Sequence, residues 1–113
     1  MFRRPWSMNR FQDAALRSKV YGAGHSIIYP ALKLNGEAGE VAEKVGKVLR
    51  DNDGVFTDEL KAGIAAEIGD VLWYCAAIAQ DLGFTLDDIA NGNILKLKSR
   101  LKRGKIHGSG DNR

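Results

Sequence analysis

Two eight-residue stretches decide the fold: LNGEAGEV at residues 34–41 and IAAEIGDV at residues 64–71. They share one pattern, with a carboxylate at the fourth and seventh places, glycine at the sixth and valine at the eighth. On a helix of 3.6 residues per turn, side chains three residues apart lie about 60° apart around the axis. Each stretch therefore predicts a helix that carries a pair of acids on one face.

The four acids are Glu37, Glu40, Glu67 and Asp70. In each helix the pair falls at the border of the apolar stripe, so that the two acid edges meet when the helices pack antiparallel. Convergence of four carboxylates at a partly buried place costs several kcal/mol unless a cation neutralises them. Oxygen ligands without imidazole or thiolate favour Mg²⁺, with Mn²⁺ as the alternative. These residues are therefore the predicted metal ligands.

Four helices account for most of the chain. The apolar period and the capping residues predict a short first helix over residues 9–21, a second from Pro30 to about Arg50, a third from the Thr57 cap to Gly83 and a fourth over residues 86–101. The fourth helix is expected to bury Ile89, Ile94, Leu97 and Leu101. We found no alternation typical of strands, so the predicted fold class is all-α: a four-helix bundle built on two long antiparallel helices.

The bulk composition is that of a small globular protein. The chain has 113 residues, of which 44% are hydrophobic and 27% charged, enough for one compact domain but not for two cores. We expect an all-α domain over residues 1–103 and a glycine-rich tail over residues 104–113. The single cysteine, an N-terminus without an apolar leader and the lack of any stretch near 18 apolar residues predict a cytoplasmic protein with no membrane partner.

The net charge is only +3, but the positive charges crowd the C-terminal end. A basic end of this kind attracts anions, and it is equally typical of a solvated helix end. One hypothesis is therefore a non-enzymatic, basic helical module that binds nucleic acid, for which the four acids would be dispensable. Another is a purely structural helical oligomer. A di-iron carboxylate bundle is disfavoured, because it needs a histidine three residues after a glutamate, and neither His25 nor His107 is so placed.

The acid pattern resembles that of the MazG-like all-α nucleoside triphosphate pyrophosphohydrolases, whose signature is Glu-x-x-Glu followed, after a gap, by Glu-x-x-Asp. The similarity extends over residues 29–113. It includes Trp73 and Tyr74 after the second acid pair, and the stretch NILKLKSR at residues 93–100, which is similar to the family's Asn-x-x-Lys-Leu-x-x-Arg element.

This resemblance implies an activity: Mg²⁺-dependent cleavage of (deoxy)nucleoside triphosphates between the α and β phosphates, giving a monophosphate and pyrophosphate. It implies that Glu37 or Glu40 accepts the proton of the attacking water. The residues that it suggests for substrate binding are Asn93, Lys96, Tyr74, Lys44 and Arg100.

Within the same superfamily, a phosphoribosyl-ATP pyrophosphohydrolase remains the alternative, although NILKLKSR resembles that branch less. No stable nucleic-acid partner is expected of a nucleotide hydrolase. Because short chains bury proportionally little surface, a homodimer or a tetramer made of dimers is expected.

Overall fold

The computed structural model describes residues 7–111 and Arg113, so residues 1–6 of the predicted domain and Asn112 of the predicted tail lie outside the described residues. Its helices are α1, Met8–Ala15; α2, Ile28–Asp51; α3, Asp58–Asp81; and α4, Leu86–Arg103. Two short 3₁₀ turns, Leu16–Ser18 and Ala23–His25, connect α1 to α2. The described part contains no strand, and the all-α prediction is confirmed.

The helix ends follow the local chemistry that the sequence indicated. The hydroxyl of Thr57 accepts a hydrogen bond from the Leu60 N–H at 3.2 Å, and that of Thr85 accepts one from the Asp88 N–H at 3.1 Å. Each thereby satisfies a backbone donor that the first turn leaves unpaired. Gly83 follows α3 with φ of +85°, a backbone conformation that favours glycine.

The prediction for the first helix was wrong at its C-terminal end. The α-helix stops at Ala15 instead of Tyr21, and the chain becomes extended at Lys19. The reason is tertiary: Lys19 and Tyr21 both bond to the carboxylate of Asp81, at the end of α3. Continuing the helix would turn these side chains away from that buried partner.

The centre of the molecule is the antiparallel hairpin of α2 and α3, joined by the turn at residues 52–57. On the other side of α3, α1 packs against both α3 and α4. Gln12 of α1 is buried there: its amide donates to the carbonyls of Ala76 and Phe84, and its oxygen accepts from the Leu86 N–H. Among the described elements, α4 packs against α1 and α3 but not against α2.

The expected buried side of α4 is exposed, which corrects the sequence prediction. Four residues were assigned to it, and their exposed fractions are 46% for Ile89, 48% for Ile94, 40% for Leu97 and 72% for Leu101. Leu86 and Arg100 are the residues of α4 that are buried instead. The apolar period predicts a buried face, but α2 does not pack against α4, and the described helices that do, α1 and α3, leave these four residues exposed.

The third helix is also only partly covered. By length and composition α3 is apolar enough to cross a membrane, so the expectation that no stretch approaches such a span was too strict. One helix of this kind is a weak indication, because a core helix has the same composition. Here Glu67 and Asp70 interrupt it in the middle, and both lie close to Glu37 of α2.

Candidate metal and nucleotide site

Three of the four predicted acids come together between α2 and α3. One carboxylate oxygen each from Glu37, Glu67 and Asp70 lies within 4.8 Å of the other two. The antiparallel hairpin brings them together, because α2 presents Glu37 at the level at which α3 presents its own pair. Glu40 lies one turn further along α2, is exposed and is not part of this group.

The set of donors suits a hard divalent cation. The three groups are carboxylates, Glu37 and Glu67 are partly buried, and no histidine or cysteine belongs to the group. Carboxylate oxygens at such a spacing repel one another, and Mg²⁺ or Mn²⁺ is the kind of ion that such ligands hold. The residues present therefore fit the metal that the sequence predicted.

Lys44 reaches the same group from α2. Its ammonium lies 3.1 Å from a carboxylate oxygen of Glu67 and donates to the backbone carbonyl of Gly63 at 3.3 Å. The prediction placed Lys44 at the site as a substrate contact, and the observed partner is one of the acids. Its charge offsets part of the repulsion within the group.

A cavity of about 350 Å³ opens beside the acids. Glu37 and Asp70 form one part of its lining, and Trp73 and Tyr74 form another. The indole N–H of Trp73 donates to the carbonyl of Ala15 and to the hydroxyl of Ser18, both at 2.9 Å. Trp73 thus holds the end of α1 in place while its ring lines the cavity. The volume falls in the range of small-molecule sites.

Tyr74 is the predicted substrate contact that lies in this cavity. Burial raises the pKa of its phenol, and the neighbouring Tyr29 together with the charges of Glu37 and Asp70 raises it further. The hydroxyl therefore stays protonated and able to donate a hydrogen bond throughout the physiological range.

The predicted contacts on α4 lie elsewhere in the chain. Asn93 is exposed, and Lys96 pairs with Asp111 of the tail, Nζ to Oδ1, at 3.1 Å. The guanidinium of Arg100 is almost fully buried and donates to the backbone carbonyl of Asp111 at 2.9 Å, while its Nε has no partner among the described residues. None of these three residues belongs to the acid group or lines the cavity beside it, and among the described elements α4 does not pack against α2.

Trp73 was not among the substrate contacts predicted from the sequence, although it lines the cavity. Two further lining residues, Ser18 and Val20, were also missed. They belong to the connection between α1 and α2, which is not regular helix at this point. The only local signal was the turn chemistry around Gly22, and such a signal marks a loop without saying what the loop covers. Their place in the cavity wall follows from tertiary contacts.

Comparison with known proteins shows which family this chain resembles. The family model of the MazG nucleotide pyrophosphohydrolase domain matches the sequence over residues 28–104, which span α2 to the end of α4. The chain is also similar to the Gene 37 protein of Mycobacterium phage L5, with 47% identity over 109 residues, covering 91% of this chain and 96% of the relative. No solved structure matches the chain. From the matched domain, which includes all four acids, we conclude that this chain belongs to the MazG nucleotide pyrophosphohydrolase family.

Proposed function

We propose that this protein hydrolyses (deoxy)nucleoside triphosphates to nucleoside monophosphates and pyrophosphate, in a metal-dependent reaction that shapes or cleans the nucleotide pool. One observation carries the proposal: the group of Glu37, Glu67 and Asp70 lies at the edge of a cavity lined by Trp73 and Tyr74. A triphosphate needs a cation-binding acid group for its phosphates and an adjacent, partly aromatic space for its base. In this chain the acid group and the cavity lined by Trp73 and Tyr74 lie side by side.

In this proposal Glu37, Glu67 and Asp70 hold Mg²⁺, with Mn²⁺ as the alternative. The bound ion would offset charge on the phosphate oxygens and on the leaving pyrophosphate. Tyr74 donates a hydrogen bond to a substrate oxygen, and the face of Trp73 is available to the base. Glu40, which is exposed one turn beyond the acid group, is assigned the role of proton acceptor for the attacking water, because the acids of the group are engaged with the cation.

The substrate contacts on α4 require a second copy of the chain in this proposal. Asn93, Lys96 and Arg100 belong to a helix that does not pack against α2 of its own chain. The exposed apolar side of α4 is the surface by which a second copy would dock. A dimer would cover this surface and bring the basic groups of one chain towards the acids of the other. Phosphate oxygens would then replace Asp111 as the partner of Lys96.

Product analysis tests the reaction. The protein is incubated with each nucleoside triphosphate and Mg²⁺, and the products are separated. We expect a monophosphate and pyrophosphate. Release of orthophosphate would contradict the proposal, and turnover of phosphoribosyl-ATP alone would favour the alternative within the superfamily. Binding of nucleic acid that falls steeply with salt, together with no hydrolysis, would favour the basic module.

Matched variants test the assigned residues. Glu67→Gln and Glu40→Gln are each expected to lower kcat by at least about 100-fold, since several kcal/mol of transition-state stabilisation is lost. Glu43→Gln is the control: Glu43 lies on α2, as Glu40 does, is exposed and pairs with Lys47. Full turnover by Glu40→Gln would refute its role as proton acceptor, and full turnover by Glu67→Gln would refute the site.

A further inference from the structure

Asp81 is the last residue of α3. Among the acids for which an ion pair is observed, it has the least exposed side chain. Its side chain is only 3% exposed, and its carboxylate accepts three hydrogen bonds: from Lys19 Nζ at 3.2 Å, from the Tyr21 hydroxyl at 2.9 Å and from the Ile27 N–H at 2.9 Å. A buried carboxylate at the C-terminal end of a helix is unfavourable without such partners. All three partners come from one segment, residues 19–27, between α1 and α2.

The backbone of this segment is strained where it meets Asp81. Ile27 has φ of +67°, which costs a β-branched residue of this kind free energy, and it precedes α2 without a side-chain cap. The N–H of the strained residue is the one that donates to Asp81. Asp81 therefore helps to hold the start of α2, the helix that carries Glu37.

The segment also forms part of the wall of the cavity beside the acids. Val20 lines that cavity although the residue is 96% exposed, so its position does not come from packing. Its two neighbours in sequence, Lys19 and Tyr21, are the residues that Asp81 holds. The Lys19 ammonium also lies 4.6 Å from the centre of the Tyr21 ring, which ties these two residues to each other.

Tyr21 also connects Asp81 to the lining of the cavity through contacts between aromatic side chains. Its ring contacts that of Tyr29 with centroids 5.3 Å apart, and Tyr29 in turn neighbours Tyr74, which lines the cavity. From these contacts we propose that Asp81 is a positioning residue for the nucleotide site: it fixes residues 19–27, of which Val20 lines the cavity, and acts on substrate binding through that part of the wall. This inference rests on the proposed function.

The test compares Asp81→Asn with Asp53→Asn. The second is a matched control, because Asp53 is exposed and its φ of +52° suits asparagine as well as aspartate. For the triphosphate that the wild type turns over fastest, Asp81→Asn is expected to raise KM by about 10-fold and to change kcat by less than about 3-fold. The control is expected to match the wild type in both.

A second measurement does not depend on activity. Hydrogen exchange of the nucleotide-free protein should speed up in residues 19–27 of Asp81→Asn, and at the Ile27 amide above all, while α3, and α2 beyond its first turn, keep their protection. Should the wild type lack hydrolase activity, the proposed function fails, and the exchange result still decides whether Asp81 holds the segment.

Two results would overturn the inference: unchanged exchange in residues 19–27, or a loss of kcat at unchanged KM. If Asp81→Asn does not fold, Tyr21→Phe takes its place in both measurements, because it removes one donor and leaves the acid. We then expect a KM rise of about 3-fold and faster exchange in the same segment. If Asp81→Asn folds, the double variant Asp81→Asn with Tyr21→Phe should raise KM by less than the product of the two single effects, since both break one contact.

Discussion

Tyr21 and Asp81 are linked by a single hydrogen bond, and their ionisation is shifted in opposite directions. Burial, together with the hydrogen bond to Asp81 and the charge of that carboxylate, raises the pKa of Tyr21 to about 12. Burial alone would raise the pKa of Asp81, but the hydrogen bonds from Ile27, Tyr21 and Lys19 outweigh it and lower that pKa. The fold therefore favours a neutral phenol beside a charged carboxylate.

This pair predicts how stability changes with pH. Because the pKa of Tyr21 is higher in the folded state, its contribution is present below its unfolded value of about 10 and is lost as pH rises from about 10 towards 12. The contribution of Asp81, whose pKa is lowered, is lost as pH falls below about 4. Urea unfolding from pH 9 to 12 should show a shallower loss of stability for Tyr21→Phe than for the wild type. Equal slopes would contradict the assignment.

Lys44 is expected to compete with the metal at Glu67. Its ammonium lies 3.1 Å from that carboxylate, so a bound cation must either displace it or share the acid with it. Lys44→Met should therefore tighten Mg²⁺ binding to the nucleotide-free protein by about 3- to 10-fold, measured by calorimetry. Lys47→Met is the control, because Lys47 pairs with the exposed Glu43. Weaker Mg²⁺ binding by Lys44→Met would show that the lysine supports the site instead.

At the scale of the helices, α1 depends on one buried amide. Gln12 bonds to two carbonyls and one N–H, and these groups lie at the end of α3, in the following turn and at the start of α4. Gln12→Ala leaves the Leu86 N–H without its partner in a buried place and should lower the free energy of unfolding by about 2–3 kcal/mol. Gln80→Ala, at an exposed position of α3, should change it by less than about 0.5 kcal/mol. Denaturant midpoints measure both, and equal midpoints would contradict the role of Gln12.

The helix ends were predictable to different degrees, according to whether a local or a distant residue determines them. Thr57, Thr85 and Gly83 mark helix ends by their own capping chemistry, so these ends were predicted correctly. The end of α1 was not predicted correctly, because Lys19 and Tyr21 hydrogen-bond to Asp81, which lies some sixty positions away in sequence. A helical period carries no information about such a distant partner.

At the scale of the whole molecule, the single chain is expanded. Its radius of gyration is 17.1 Å, whereas a compact domain of about 100 residues has about 13 Å. Its accessible surface is 8538 Å², compared with about 6,100 Å² for a folded monomer of this size. The excess is of the order that an obligate interface removes from each chain. This comparison supports the proposed dimer.

A substitution on α4 tests that dimer. Ile94 is 48% exposed on the apolar side of α4, and Ile94→Lys should shift the protein towards the monomer in sedimentation velocity and lower its Tm. The control is Val55→Lys, because Val55 is 58% exposed in the turn between α2 and α3, away from α4. A wild type that is monomeric at all concentrations would contradict the proposal.

The sequence by itself determined the all-α class, the hairpin of two long helices and the chemical nature of the acid group. It could do so because helical period, capping and the spacing of carboxylates along one helix are local properties. The duplicated acid pattern was enough to indicate that the acid-bearing edges of two helices meet. Of its four acids, Glu37, Glu67 and Asp70 were brought together as expected.

Only the tertiary structure decided the surroundings of those acids. It placed Glu40 outside the group, brought Lys44 to Glu67, and built the cavity wall from Ser18 and Val20. Each of these depends on the distance between segments far apart in sequence, which no local pattern encodes. The apolar side of α4 shows the same limit: its period predicts burial, but in the single chain this side is left exposed.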